Sequence, residues 1–183
     1  ILNDINRAYS GEKLEVEEYT SYDLALDNRD ALASDAYKNA ENYYKSVFEN
    51  AGGSINFYPD KSGAAPTAEM YHRETSEFSV QDVKAFCKKH GITENVFFIS
   101  AFGITLGKYN FRKDAVFTTI YHGRNDSRLS DTVGMLVKTL PVYCDFSGST
   151  ADCLNAVQQQ LINSMNNDIY PFSQISHEFN IKA

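Results

Sequence analysis

The sequence predicts an α/β domain in which helices pack on a sheet. Three observations carry this. Two β-rich runs, 115–121 and 133–143, sit among segments whose apolar residues recur at helical spacing. The stretch from Val96 to about Lys108 is apolar nearly all round, as a buried helix is. The composition, 43% hydrophobic and 22% charged over 183 residues, is that of a globular chain able to bury a sizeable core.

Each element has its own signal. Ile1 to Ala8 carries Leu2, Ile5 and Ala8 on one stripe, the tail of a helix that Gly11 ends. Residues 12–33 are acidic and fit no single element. Ser34 is placed to cap a helix running to about Asn50, with Ala40, Tyr44, Val47 and Phe48 as its apolar side. Ala51-Gly52-Gly53 breaks it, and 54–67, with Pro59, Gly63 and Pro66, reads as a loop. Glu69 to Thr75 alternates as a strand. Ser79 and Asp82 have the spacing of a capping box, and Val80, Val83, Phe86 and Cys87 form the stripe of a helix that Gly91 stops. Thr93 caps the buried helix. Ala115 to Tyr121 is a continuous β-rich run suited to a central strand. Val133 to Tyr143 is also extended, and Pro141 within it demands an edge or a bulge. Ser149 and Asp152 open a long helix containing Leu154, Val157, Leu161 and Met165, and Pro171 starts a short one through Phe179. The expected sheet is mixed, with strands near 69–75, 115–121 and 133–143 under helices 79–90, 93–108 and 150–166.

Charge and composition exclude several functions. Lys+Arg is 17 against Asp+Glu 24, a net charge of −7, with 12 acids and 5 bases in residues 1–60 and 12 of each after them. Such a chain lacks the cationic surplus that nucleic acid or an anionic membrane requires. The apolar uncharged run Asn95 to Gly107 falls short of the roughly 20 residues of a membrane span. Cys87, Cys144 and Cys153 are odd in number and contain no CxxC, so they read as small apolar residues in a reducing cytoplasm, and no metal site is expected. The chain starts on Ile1 rather than Met and reads as a piece of something larger.

No GxSxG, P-loop, GxGxxG or HExxH is present. His72, His90 and His177 read as surface groups, while His122 follows the central strand and precedes Gly123-Arg124. Chain leaving a strand at a glycine is where α/β sheets place sites. Arg124 there can hold a carboxylate bidentately, in a structural bridge or in a site. Lys138 lies among apolar strand residues, alternating with Leu136 and Leu140; it is either exposed or lines a cavity.

Gly123-Arg124 follows a strand, and Val133-Gly134-x-x-Val137-x-Thr139-Leu140-Pro141 comes next. In these residues the chain resembles the C-terminal part of a condensation domain of a non-ribosomal peptide synthetase, whose pattern reads "(I/V)GxFVNTLPLR". Tyr170-Pro171-Phe172 matches the tail of "HQDxPFE", and Tyr19-x-x-Tyr22-Asp23-x-Ala25 resembles "YxDYAxW". Ile1 to Gly11 looks like the helix that follows the catalytic "HHxxxDG", which would lie upstream of Ile1. The departures are Lys138 for the Asn of "VNT", Tyr143 for the closing Arg, Asn167-Asp168-Ile169 for His-Gln-Asp, and the absence of Trp.

The resemblance implies a chloramphenicol-acetyltransferase-like sandwich of sheet and helices, one lobe of two, with 1–183 the C-terminal lobe and 1–11 the end of the helix after the active-site motif. It implies an acyltransferase reaction of secondary metabolism and antibiotic biosynthesis. A donor acyl or peptidyl thioester is joined to the amine of an acceptor aminoacyl thioester, both carried on phosphopantetheine of carrier proteins. The implied partners are the N-terminal lobe and the donor and acceptor carrier proteins, with no nucleic acid and no membrane, in the cytoplasm. No cofactor bound by the domain is implied, nor any catalytic residue within 1–183. Gly123, Arg124, Val137, Lys138, Thr139 and Pro141 would shape the tunnel, and Tyr19, Tyr22, Asp23, Pro171 and Phe172 its mouth. Arg124 would be half buried and paired with a carboxylate across the lobe junction, and an apolar face would meet the other lobe. Ester-forming acyltransferases, epimerisation and cyclisation domains, and non-catalytic relatives that recruit carrier proteins share the architecture.

Overall fold

The structure, a computed structural model, describes residues 2–49, 51–58, 72, 74 and 77–182. In chain order it contains α1 (Leu2–Tyr9), α2 (Ser21–Ala31), α3 (Asp35–Phe48), α4 (Val80–His90), α5 (Glu94–Tyr109), β1 (Asp114–Tyr121), β2 (Lys138–Asp145), α6 (Thr150–Asn166) and α7 (Phe172–Phe179), with a short 3-10 turn at Ser127–Leu129.

Side-chain caps start most of the helices. The hydroxyls of Ser34, Thr93, Ser79 and Ser149 accept the backbone N–H three residues on. Asp82 and Asp152 close full capping boxes, so aspartate reaches as well as the usual longer glutamate. Gly91 ends α4 with φ +65°, in the left-handed region. α2 falls within the stretch that fitted no element. Its Thr20–Asp23 capping box is complete, yet it buries no residue, so it has no apolar stripe to read.

β1 and β2 form an antiparallel ribbon, from Asp114 opposite Asp145 to Tyr121 opposite Lys138. One face carries Ala115, Phe117, Val142 and Cys144 into a core with Val83 of α4, Val96, Ile99 and Leu106 of α5, and Leu154 and Val157 of α6. The other face carries Val116 against Ala40, Tyr44 and Phe48 of α3 and Ile175 of α7. The ribbon is thus covered on both faces, as the continuous apolar run of β1 predicts. Along the outer edge of β1, the Ile55 N–H donates to the Val116 carbonyl at 3.2 Å, so the 54–58 stretch read as loop lies against the ribbon. Tyr143 N–H donates away from β1, to Gln160 Oε1 at 3.1 Å. Pro141, two residues earlier, shares that outward orientation, so its missing N–H removes no ladder bond.

Three expectations need correction or fall outside the structure. β2 starts at Lys138, not Val133, because 132–133 are tied to the N-terminal segment: Thr132 Oγ1 donates to the Tyr19 carbonyl at 2.6 Å and Val133 N–H to Glu17 Oε1 at 2.8 Å. α5 is not buried all round: Phe98 and Phe102 are 56% and 45% exposed, although Phe102 packs on Phe57 and Phe117. The strand expected over 69–75 lies outside the described residues save His72 and Glu74, neither of which is in a strand, and the sheet among the described residues is the antiparallel pair. The three cysteines are buried thiols, with the sulfurs of Cys144 and Cys153 at 3.4 Å. Among the described residues no helix is long and apolar enough to cross a membrane.

The capping boxes make stability depend on pH. The Ser79 backbone N–H and hydroxyl hold the Asp82 carboxyl below the usual carboxylate range, and the Thr20 hydroxyl and N–H do so for Asp23. The unfolded chain takes up these protons first. The contribution is present above the ordinary carboxylate pKa near ~4 and is lost as pH falls through the lower folded value. Urea unfolding between pH 5 and 2 should therefore show stability dropping with acid, and Asp82→Asn should flatten that dependence.

Candidate functional site

The site is built at the end of the ribbon where Tyr121 faces Lys138. Past Tyr121 the chain turns away at Gly123, whose φ is +70°. A Cβ at this position would overlap the Leu136 carbonyl oxygen. Only glycine combines that backbone conformation with so close an approach.

Arg124 follows. The expectation of a half-buried guanidinium paired with a carboxylate concerns the intact domain, across its lobe junction; within residues 1–183 the group has other partners. The residue is exposed, and its guanidinium donates to three carbonyls, those of Leu129, Ser130 (3.3 Å) and Thr132 (3.1 Å). Its backbone N–H donates to His122 Nδ1 at 3.0 Å. The planar fork of Arg, with five donors, suits this use: it folds the 125–132 loop around itself. That loop brings the Tyr19 motif to the same end of the molecule. Besides the Thr132 bond to the Tyr19 carbonyl, Arg128 lies over the Tyr19 ring at 4.4 Å and pairs with Asp27 at 3.1 Å, while the Tyr19 hydroxyl donates to Asp27 at 2.7 Å. Asp23 caps α2, and Tyr22 is exposed.

α2 leads to a cavity of about 350 Å³. Lys138, Thr139, Pro171 and Phe172, separate motifs in the sequence, line it together, with Asn28 and Leu32 at the C-terminal end of α2 and Asp168 after α6. Lys138 thus lines a cavity, one of its two sequence readings. Its ammonium donates to the Asp168 carbonyl at 3.1 Å and pairs with Asp168 Oδ1 at 3.0 Å, with both side chains partly buried. Asp168 was not singled out as a site residue. The signal that could have found it is the lone Lys138, since a cation among apolar residues needs a nearby anion. Asn28 and Leu32 gave no such signal.

Pro141 is buried in β2 and Val137 is half exposed; neither lines the cavity. Val137, like Ile120, Val133 and Met135, is an exposed apolar residue. His72 pairs with Glu74, and His90 stacks on Phe86 at the end of α4. No cluster of His, Cys, Asp or Glu able to hold a metal occurs among the described residues.

A family model described as Condensation domain matches residues 1–183. The chain belongs to the condensation domain family. It is 28% identical over 174 residues to the nonribosomal peptide synthetase sidC of Arthroderma benhamiae, covering 94% of this chain and 3% of that protein. It is 24% identical over 177 residues to bacitracin synthase 2 of Bacillus licheniformis, covering 93% and 6%. Among solved structures, SgcC5 from Streptomyces globisporus superposes with a TM-score of 0.76 at 20% identity, over 94% of this chain and 40% of that one. The first condensation domain of the calcium-dependent antibiotic synthetase gives 0.72 at 15% identity, over 94% and 39%. The chloramphenicol-acetyltransferase-like α/β fold is therefore present. This condensation-domain chain spans a few per cent of those synthetases and about two-fifths of those solved chains.

Two substitutions separate the contributions at the ribbon's end. Gly123→Ala should cost about 1–2 kcal/mol for the left-handed backbone alone, and more because the Leu136 carbonyl must move. It should lower the urea midpoint clearly. Arg124→Ala removes only bonds to carbonyls that water can replace, so its midpoint should fall less, while proteolysis within 125–132 should speed up.

Proposed function

We propose that residues 1–183 form the C-terminal lobe of a condensation domain that makes amide bonds between carrier-bound substrates. The observation that carries this reading is the convergence of four sequence-separated motifs, at Tyr19–Asp23, Gly123–Arg124, Val137–Thr139 and Pro171–Phe172, around one end of the ribbon in a chain matched throughout by the family.

In this reading α1 continues the helix that follows "HHxxxDG", and that motif supplies the histidine. The acceptor amine attacks the donor thioester carbonyl carbon. The C–N bond forms, the C–S bond breaks, and the amine proton passes to the histidine. The histidine returns that proton to the departing sulfur, and the donor carrier's phosphopantetheine leaves as the thiol. What this lobe adds is position: two tethered ends held together react as one molecule would. Gly123, Arg124, Val137, Lys138, Thr139 and Pro141 shape the tunnel wall, Arg124 by ordering its loop and Pro141 by its place in β2. Tyr19, Tyr22, Asp23, Pro171 and Phe172 form the mouth. The exposed apolar residues Ile120, Met135 and Val137 and the exposed side of α5 meet the N-terminal lobe, because apolar surface of this kind seeks cover. The partners are that lobe and the donor and acceptor carrier proteins. The domain consumes no cofactor and works in the cytoplasm.

The complete domain, given two loaded carrier proteins, should yield an amide product detectable by mass spectrometry. Residues 1–183 alone should yield none. Product from 1–183 alone would show that the chemistry is misplaced, and no product from the complete domain would sink the reaction itself.

A further inference from the structure

Three thiols have no role in the condensation reading, and two of them touch. Cys144, in β2, and Cys153, in the first turn of α6, are buried with their sulfurs 3.4 Å apart. The sulfurs of a disulfide lie about 2.05 Å apart, so these two need close by little more than ~1 Å. Cys87, the third thiol, is buried in α4 and touches neither of the other sulfurs. The pair lies towards the end of the ribbon away from Lys138, where Cys144 stands opposite Ala115.

Packing holds this contact in place. Cys144 lies against α5 at Gly103, where an added Cβ would come within 2.8 Å of the Cys144 Cβ and 2.9 Å of its sulfur. The α5 side is therefore closed to the thiol, and Cys153 meets it from α6. Leu154 and Val157 of α6 share the same core with Cys144, which fixes the helix against β2.

The two thiols are not equivalent. At the start of α6 the helix dipole favours a thiolate at Cys153. The Cys144 S–H also donates to the Cys153 sulfur. That bond holds the Cys153 thiol below its ordinary value, against burial and the Asp145 charge, and pushes that of Cys144 up. The thiolate is the form that oxidants attack. Burial of both sulfurs admits an oxidant little larger than water, which hydrogen peroxide is.

We propose that Cys153 and Cys144 are a peroxide-sensitive pair, Cys153 oxidised first and Cys144 resolving it into a disulfide that ties α6 to β2. The Cys153 thiolate attacks one oxygen of hydrogen peroxide. The O–O bond breaks, a sulfenic acid forms, and the departing hydroxide takes up the proton the thiol released. The Cys144 sulfur then attacks the Cys153 sulfur. The S–O bond breaks, and a second water leaves with the Cys144 proton. Two thiols and one peroxide thus give one disulfide and two waters. In a reducing compartment the pair rests as thiols and closes only under oxidant. The inference stands apart from the condensation reading.

The test is treatment of the complete condensation domain with hydrogen peroxide, alkylation in urea, and digestion with a protease that cuts before aspartate. Cuts before Asp145 and Asp152 place the two cysteines on separate peptides, 131–144 and 152–167, unless a disulfide joins them. The expected product is that joined pair, lighter by two hydrogens than its parts and separated by dithiothreitol, with Cys87 outside it. Cys144→Ser should leave a Cys153 sulfenic acid that dimedone traps, and Cys153→Ser should leave Cys144 untrapped. The oxidised domain should unfold more slowly in urea than the reduced one, because a bond now spans α6 and β2. The mapping on the unaltered sequence requires neither variant to fold. Separate peptides once the methionines of the chain are oxidised would overturn the proposal, and so would a link that forms in urea but not in the folded domain. Dimedone on Cys144 rather than Cys153 would overturn the order of attack. Equal or faster unfolding after oxidation would overturn the tie between α6 and β2.

Discussion

A two-stranded ribbon is not stable by itself in water, and the rest of this fold depends on how one is covered. Helices α4, α5 and α6 bury one face of it and α3 with α7 the other. That double burial explains why β1 is apolar on both sides rather than alternating. It also explains how Pro141 can sit inside β2, since its nitrogen points away from β1. The two apolar clusters lie on the ribbon's two faces, and α3 also reaches α6 directly, the Tyr43 and Tyr44 hydroxyls donating to the carbonyls of Gln160 and Ser164.

The site follows from where the ribbon stops. Gly123 turns the chain so closely past Leu136 that no side chain fits between them, and beyond that point β1 no longer offers a ladder to 133–137. That segment finds its partners in the N-terminal residues instead, through Thr132 and Val133. The same turn delivers Arg124 to the loop carbonyls it gathers. One glycine thus sets the end of the pairing, the course of the loop and the docking of the Tyr19 motif.

Charge placement at this end has a different logic. Lys138 occupies a strand position with apolar neighbours on either side, and Asp168 answers it from the turn after α6. Losing either partner would leave a partly buried charge without its counter-ion. The pair therefore pins the start of β2 to the Asp168 turn. The outward apolar side of α5, with Ile120 and Val137, is only partly covered by the described residues. The solved domains that share this fold are more than twice as long.

Helix starts and stops were determined by the sequence alone, because a cap closes within four residues. Ser34, Ser79, Thr93 and Ser149 show this, as does Gly91. The apolar runs determined the strand at 115–121, and the ordered motifs determined the family. α2 was illegible because it buries nothing, although its cap was written at Thr20 and Asp23. Only the tertiary structure decided the partners of side chains that bond far along the chain. It gave Arg124 carbonyls rather than a carboxylate, Lys138 the anion of Asp168, and Tyr121 a buried hydroxyl without a partner among the described residues. The physical reason is range: a cap is settled by its own turn, whereas a charge or hydroxyl is satisfied by whatever the packed elements bring beside it.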